Sequence, residues 1–117
     1  MITVEVKRND AGIEEITISG HANADVKGKD IVCSAVSAIS FGTINSVHVL
    51  LEIMPDVQQG SKSGGYLRWR LSTDSVAETA EKEQLLAESM VIALIAVAET
   101  YGKYVTIQDA KWQGGAT

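Results

Sequence analysis

Ile16-Thr17-Ile18-Ser19-Gly20-His21-Ala22, followed after a short polar stretch by Gly28-Lys29-Asp30-Ile31-Val32-Cys33-Ser34-Ala35-Val36-Ser37, is where the hydropathy of this chain changes period. Before Gly20 the apolar residues alternate, as in a half-buried strand. After Asp30 they return at helical spacing. At about 100° per residue, Ile31, Val32, Ala35, Val36, Ile39, Val47, Val49 and Leu50 are assigned to one wide core-facing arc. Residues 20–29 are polar or small with glycine at both ends, so they read as a loop. Asp30 is then the N-cap, and the helix is expected to stop before Pro55.

Outward from this switch the rest follows. Ile2-Thr3-Val4-Glu5-Val6-Lys7 alternates, and Asn9-Asp10-Ala11-Gly12 is a turn cluster, so the chain opens with a β-hairpin. A short strand is expected from Asp56, then a glycine-rich connection over 59–65. The strand Tyr66-Leu67-Arg68-Trp69-Arg70-Leu71 should turn Leu67, Trp69 and Leu71 inward. Thr73, Asp74 and Ser75 are capping candidates for a second helix, clearest over 84–101, with Gly102 as its stop. Leu85, Leu86, Val91, Ile92, Leu94, Ile95 and Val97 make that helix apolar nearly all round, which predicts burial on more than one side. Val105 and Ile107 mark a last strand. The order ββα(β)βαβ predicts a two-layer α+β sandwich, a mixed sheet with two main helices, as a single domain over 1–117.

Composition narrows the function. A chain of 117 residues has room for one core. Its formal charge of −5 disfavours nonspecific grip on nucleic acid, which depends on Lys and Arg displacing counterions. One cysteine forms no intramolecular disulfide. The first residues show no basic-then-apolar leader, and the longest apolar run, 90–98, is far short of the ~20 residues that cross a bilayer. The expectation is a soluble cytoplasmic protein with a free thiol and no membrane contact.

The chemistry concentrates on that thiol. With Asp30 as cap, Cys33 is the third helical residue, where unsatisfied N–H groups and the helix dipole favour thiolate. His21 ends the preceding strand and is a candidate general base. The plain alternative is that Cys33 is a buried small hydrophobe and His21 only packs. Ser37 follows one turn after Cys33 and is a candidate hydrogen-bonding neighbour. His48 and the carboxylates Glu78, Glu81, Glu83 and Glu88 read as solvated. One cysteine and two histidines give no recognisable zinc spacing, and Gly28-Lys29 lacks the remainder of a phosphate-binding loop. No metal or cofactor is expected.

The pairing of Gly20-His21-Ala22 with Gly28-Lys29-Asp30-Ile31-Val32-Cys33 closely resembles the ribosomal-processing cysteine protease family, and the resemblance extends over the whole chain. It implies an endopeptidase that removes the N-terminal extension of a large-subunit ribosomal protein precursor. Cys33 would be the nucleophile and His21 the base and acid, supported by Asp30 and Ser37, with Ala22, Lys27, Gly28 and Lys29 in a substrate-clamping loop. It also implies a homodimer and no cofactor. Two other functions are compatible with the residues. One is a non-catalytic ribosome-associated module; the other is a thiol redox sensor, which would need a partner thiol from outside the chain.

Overall fold

The computed structural model describes residues 1–20, 27–60 and 65–112. The elements are β1 (Ile2–Asn9), β2 (Gly12–Ser19), α1 (Lys27–Leu51), β3 (Asp56–Gln59), β4 (Tyr66–Arg70), α2 (Ala77–Thr100) and β5 (Val105–Asp109). The five strands form one sheet in the order β3-β4-β2-β1-β5. β1 and β5 run parallel and the other neighbours antiparallel, so the sheet is mixed. This is the expected α+β order.

Strand alternation decides which face the helices cover. Ile2, Val4 and Val6 on β1, Leu67 and Trp69 on β4, and Val105 and Ile107 on β5 are all buried. The intervening residues face water, where Glu15 pairs with Arg68 at 3.2 Å. A sheet with one buried and one wet face is the usual antiparallel arrangement. On β2 the buried set is Ile13, Ile16 and Ile18, which breaks the period of two. The cause is a bulge: β1 pairs Lys7 with Glu15 but Arg8 with Ile13, leaving Glu14 as the extra residue.

The end of the sheet that holds the β1–β2 turn is tied to α2 by side chains. Gln84 accepts from the Ile13 N–H at 2.8 Å and donates to the Ile13 carbonyl at 2.7 Å. Arg8 spans three elements. Its guanidinium donates two bonds to the buried Asp109 of β5, at 2.7 and 2.9 Å, and two to Glu88 of α2, both at 2.8 Å. Such bidentate charged bonds are the strong kind. Glu88 also accepts from the Trp112 indole at 3.2 Å. The bonds from Arg8 hold the Glu88 carboxyl down at about 2, with the Trp112 bond adding to them against burial.

Several helix assignments need correction. α1 begins at Lys27, so Asp30 lies inside the helix and is not its cap. Ile31, Val49 and Leu50 are exposed, and the buried stripe is Val32, Val36, Ser40 and Val47. Val49 follows Val47 by about 200° of helical turn, which carries it to the far side. His48 is not merely solvated: its Nδ1 lies 2.8 Å from the Ile53 carbonyl and closes the chain after α1. On α2, Leu85 and Ile92 are exposed. The cap position is Val76, with extended backbone and no side-chain cap bond, so none of Thr73, Asp74 and Ser75 caps it. Glu83 is buried and accepts from the Ser72 N–H at 3.2 Å, and Glu88 is ion-paired, so these two do not belong to a solvated face. Finally, Ile31–Leu51 is uncharged and, by length and composition alone, apolar enough to cross a membrane, which counting only unbroken apolar runs overlooked.

Candidate active site

At the opposite end of the sheet from Arg8, β2 ends, β4 begins and β1 starts. There a cleft of about 490 Å³ opens between the sheet and α1. Cys33, Ser37 and Ser40 supply one wall. They fall on one stripe because positions three, four and seven apart share a helix face. Ile18, Tyr66 and Leu67 line it from the sheet, with Gln59 and Gly60 at the end of β3. Cys33 is a free, half-buried thiol. None of the described lining residues carries a charge. The net negative charge of the chain therefore does not reside in this lining, which is suited to apolar groups and neutral hydrogen bonds.

Gly20 sits at the rim of the cleft and its identity is dictated by geometry. Its φ is +97°, and a Cβ there would run into the Met1 carbonyl. Only glycine combines that backbone with that approach at no steric cost. Its N–H donates to the Gly65 carbonyl at 2.9 Å, tying the end of β2 to the entry of β4.

The structure thus brings Cys33 and Ser37 together in one cleft, beside the residue that precedes His21 in the chain. His21 and Ala22 lie outside the described residues. Lys27, Gly28 and Lys29 belong to the first turn of α1, with Asp30 just after them, so these three are not loop residues. The longer helix also moves Cys33 into its second turn. Dipole effects fade within the first turn, so the helix start gives this thiol less help than its expected third position would have. Phe41, Tyr66, Gln59 and Ser40, none of them a candidate from sequence, also line the cleft. The spacing of Ser40, seven after Cys33, was the available signal. Among the described residues no three His, Cys, Asp or Glu side chains cluster as a metal site would require.

A half-buried thiol facing the end of the sheet, in a cleft without charge among its described lining residues and beside a glycine in left-handed backbone, is a site of a size and chemistry suited to a peptide. The sequence profile of the cysteine protease Prp family matches residues 1–106. This chain belongs to the cysteine protease Prp family. The ribosomal processing cysteine protease Prp of Bacillus subtilis is 35% identical over 102 residues, covering 86% of this chain and 90% of that protein. Its Staphylococcus aureus counterpart is 32% identical over 108 residues, covering 92% and 97%. The crystal structure of S. aureus Prp with a substrate peptide superimposes with a TM-score of 0.77 at 29% identity, covering 92% of this chain and 98% of that one. A second S. aureus Prp structure carries a covalently linked product peptide and gives 0.76, at the same identity and coverage. A Streptococcus mutans protein gives 0.81 at 32% identity, covering 92% of each chain. Membership in the Prp family makes the chain a cysteine protease, and Cys33 is its only cysteine.

Proposed function

We propose that this protease removes the N-terminal extension from a large-subunit ribosomal protein precursor, with Cys33 as nucleophile and His21 as general base and acid. The observation that carries the reading is the shared cleft of Cys33 and Gly20, since Gly20 is the chain neighbour of His21. The names of the B. subtilis and S. aureus relatives give the substrate class. In this mechanism His21 takes the thiol proton and the Cys33 sulfur attacks the scissile carbonyl. The tetrahedral intermediate collapses to a thioester as His21 protonates the leaving amine. Water, deprotonated by His21, then releases the acid and restores the thiol. Ser37, exposed on the Cys33 stripe, is a supporting hydrogen-bonding contact. Asp30 is assigned an orienting role from inside the helix instead of at its cap, and Lys27 and Lys29 a part in substrate binding.

The test is mass spectrometry of the extended precursor incubated with wild-type protein and with Cys33→Ala. The wild type should yield the trimmed protein and one small peptide. Cys33→Ala should cut cleavage by at least about a thousandfold, the scale on which loss of a catalytic nucleophile acts. Undiminished turnover by the variant would sink the reading. Binding without any product from the wild type would instead point to a non-catalytic module.

The working form in this reading is a cytoplasmic homodimer. Its support is the outer side of α1, where Ile31 and Val49 are exposed on a helix with no charged residue from Ile31 to Leu51. A second copy would cover that face without stranding a charge. Ala38→Arg should then produce a monomer in sedimentation velocity. An unchanged sedimentation coefficient would remove this face from consideration.

A further inference from the structure

Ser40 behaves unlike the other hydroxyl residues of the helices whose bonds are known. Thr43 donates to the Ile39 carbonyl at 2.7 Å, Ser46 to the Gly42 carbonyl at 2.9 Å and Thr100 to the Ala96 carbonyl at 3.4 Å. Each returns to the carbonyl four residues back, which is how a hydroxyl inside a helix is ordinarily satisfied. Ser40 is 1% exposed, lines the cleft, and its Oγ has no hydrogen-bond partner among the described residues. Leaving a buried hydroxyl unpaired costs about 1–3 kcal/mol. Valine or alanine would fill this position on an apolar stripe, beside Val36 and Val47, without that cost.

We infer that Ser40 is a specificity-determining residue, its hydroxyl bonding the polar tip of a substrate side chain seated in the cleft. The inference rests on the protease assignment and on Cys33 as the nucleophile. Ser40 lies seven residues after Cys33, a rise of roughly 10 Å along α1. An extended peptide advances about 3.3 Å per residue. The side chain that reaches Ser40 therefore belongs to a residue about three positions from the scissile bond. Ser40's neighbours on its own helix that line the cleft are Val36 and Phe41, and Ile18 and Leu67 line the same cleft from the sheet, so the body of the side chain is apolar. A rotation about the Ser40 χ1 turns the hydroxyl to the incoming group. Tyrosine meets both requirements, and glutamine meets them with a shorter body.

The experiment uses quenched-fluorescent peptides carrying the cleavage sequence of the extended ribosomal protein. Phe and Tyr, which differ by one hydroxyl, are placed in turn at each of the four positions on either side of the scissile bond. With wild-type protein, one position two to four residues from that bond should favour Tyr over Phe in kcat/KM by about two- to tenfold, the range of one net hydrogen bond. In Ser40→Ala that ratio should fall to one, the loss falling on the Tyr peptides. The melting temperature of the variant should stay level or rise, because the lost hydroxyl has no partner among the described residues. A matched binding series, by anisotropy on Cys33→Ala with and without Ser40→Ala, should lose the same preference. Equal Tyr/Phe ratios in both proteins at every position would overturn the inference, as would a fallen melting temperature, which would show an internal partner. Cleavage of the parent peptide by the wild type reports separately on the processing reaction, so failure of that reaction and failure of the Ser40 assignment give different results.

Discussion

The two ends of this sheet are built on opposite terms. At the end that holds the β1–β2 turn, charged and amide groups bridge the elements: Arg8 to Asp109 and Glu88, Gln84 to both main-chain groups of Ile13, and one oxygen of Glu83 to the Ser72 N–H, its other oxygen being buried without a partner among the described residues. At the other end lie a half-buried thiol, a left-handed glycine and, among the described residues, an unpartnered serine and a cleft lining without charge. The same sheet and the same pair of helices run through both. The contrast shows where the fold is secured and where it is left available. The Ser40 hydroxyl, of a kind satisfied internally elsewhere on the helices, is held open in the cleft that Cys33 lines, and the cross-links at the far end stabilise the strands on which the cleft depends.

If that division is right, the tied end should govern stability with little effect on chemistry. Arg8→Ala is the strongest challenge. It leaves the Asp109 carboxylate buried without its cation, and breaking a buried pair in this way costs about 3–5 kcal/mol. Thermal or urea unfolding should show that loss, while kcat/KM per folded molecule stays within about twofold of wild type. A collapse of activity in the folded variant would mean that the two ends are not separate.

Acid probes the same staple. Because Arg8 and Trp112 hold the Glu88 carboxyl at about 2 against 4.5 unperturbed, the folded state binds this proton less readily than the unfolded state. The stabilisation is complete above about 4.5 and fades as the pH falls toward about 2. At about 1.4 kcal/mol per pH unit of displacement, it amounts to roughly 3 kcal/mol, which is an upper figure for a partly exposed group. Urea midpoints for wild type and Glu88→Gln should converge as pH drops from 5 to about 2. A constant gap would assign the stabilisation to packing instead of charge.

Gly20→Ala probes the open end. It forces a side chain into a left-handed backbone and against the Met1 carbonyl, a strain of about 1–3 kcal/mol. The readout that separates the ends is activity at a temperature where the variant is still folded. It should drop more than tenfold, since the distorted residue lies between β2 and His21. Activity in proportion to the folded fraction would show that Gly20 serves the strand alone.

The sequence made the strands legible because their side chains report on the sheet directly. Trp69, Leu67 and Leu71 are buried as the alternation in β4 requires, and the β1–β2 hairpin and the last strand stand where expected. Helix faces were harder. The arc drawn through Ile31, Val49 and Leu50 was wider than the contact α1 makes with the sheet and α2, and hydropathy alone does not locate the boundary of a buried stripe. The start of α1 was misplaced because Asp30 has the chemistry of a cap, while the backbone is already helical from Lys27. Glu83 and Glu88 looked like surface carboxylates because their partners, Ser72 and Arg8, are set by tertiary packing. Cys33 and Ser37 were found on one helix face by spacing. Ser40 shares that spacing, but nothing in a sequence tells a satisfied hydroxyl from an orphaned one.

The parallel pairing of β1 with β5 sets an order of assembly. β1 contributes Ile2 to the cleft, and its outer neighbour β5 comes from the far end of the described chain; Arg8 and Asp109 meet across 101 positions. Contacts between segments so distant in sequence close late, because the intervening loop entropy must be overcome first. During synthesis the hairpin and α1 emerge early but lack the strand that flanks β1 and the carboxylate that neutralises Arg8. A nascent chain therefore carries its nucleophile before the strand that flanks β1 is available, and the sheet edge that supports the cleft is completed only once translation has passed β5.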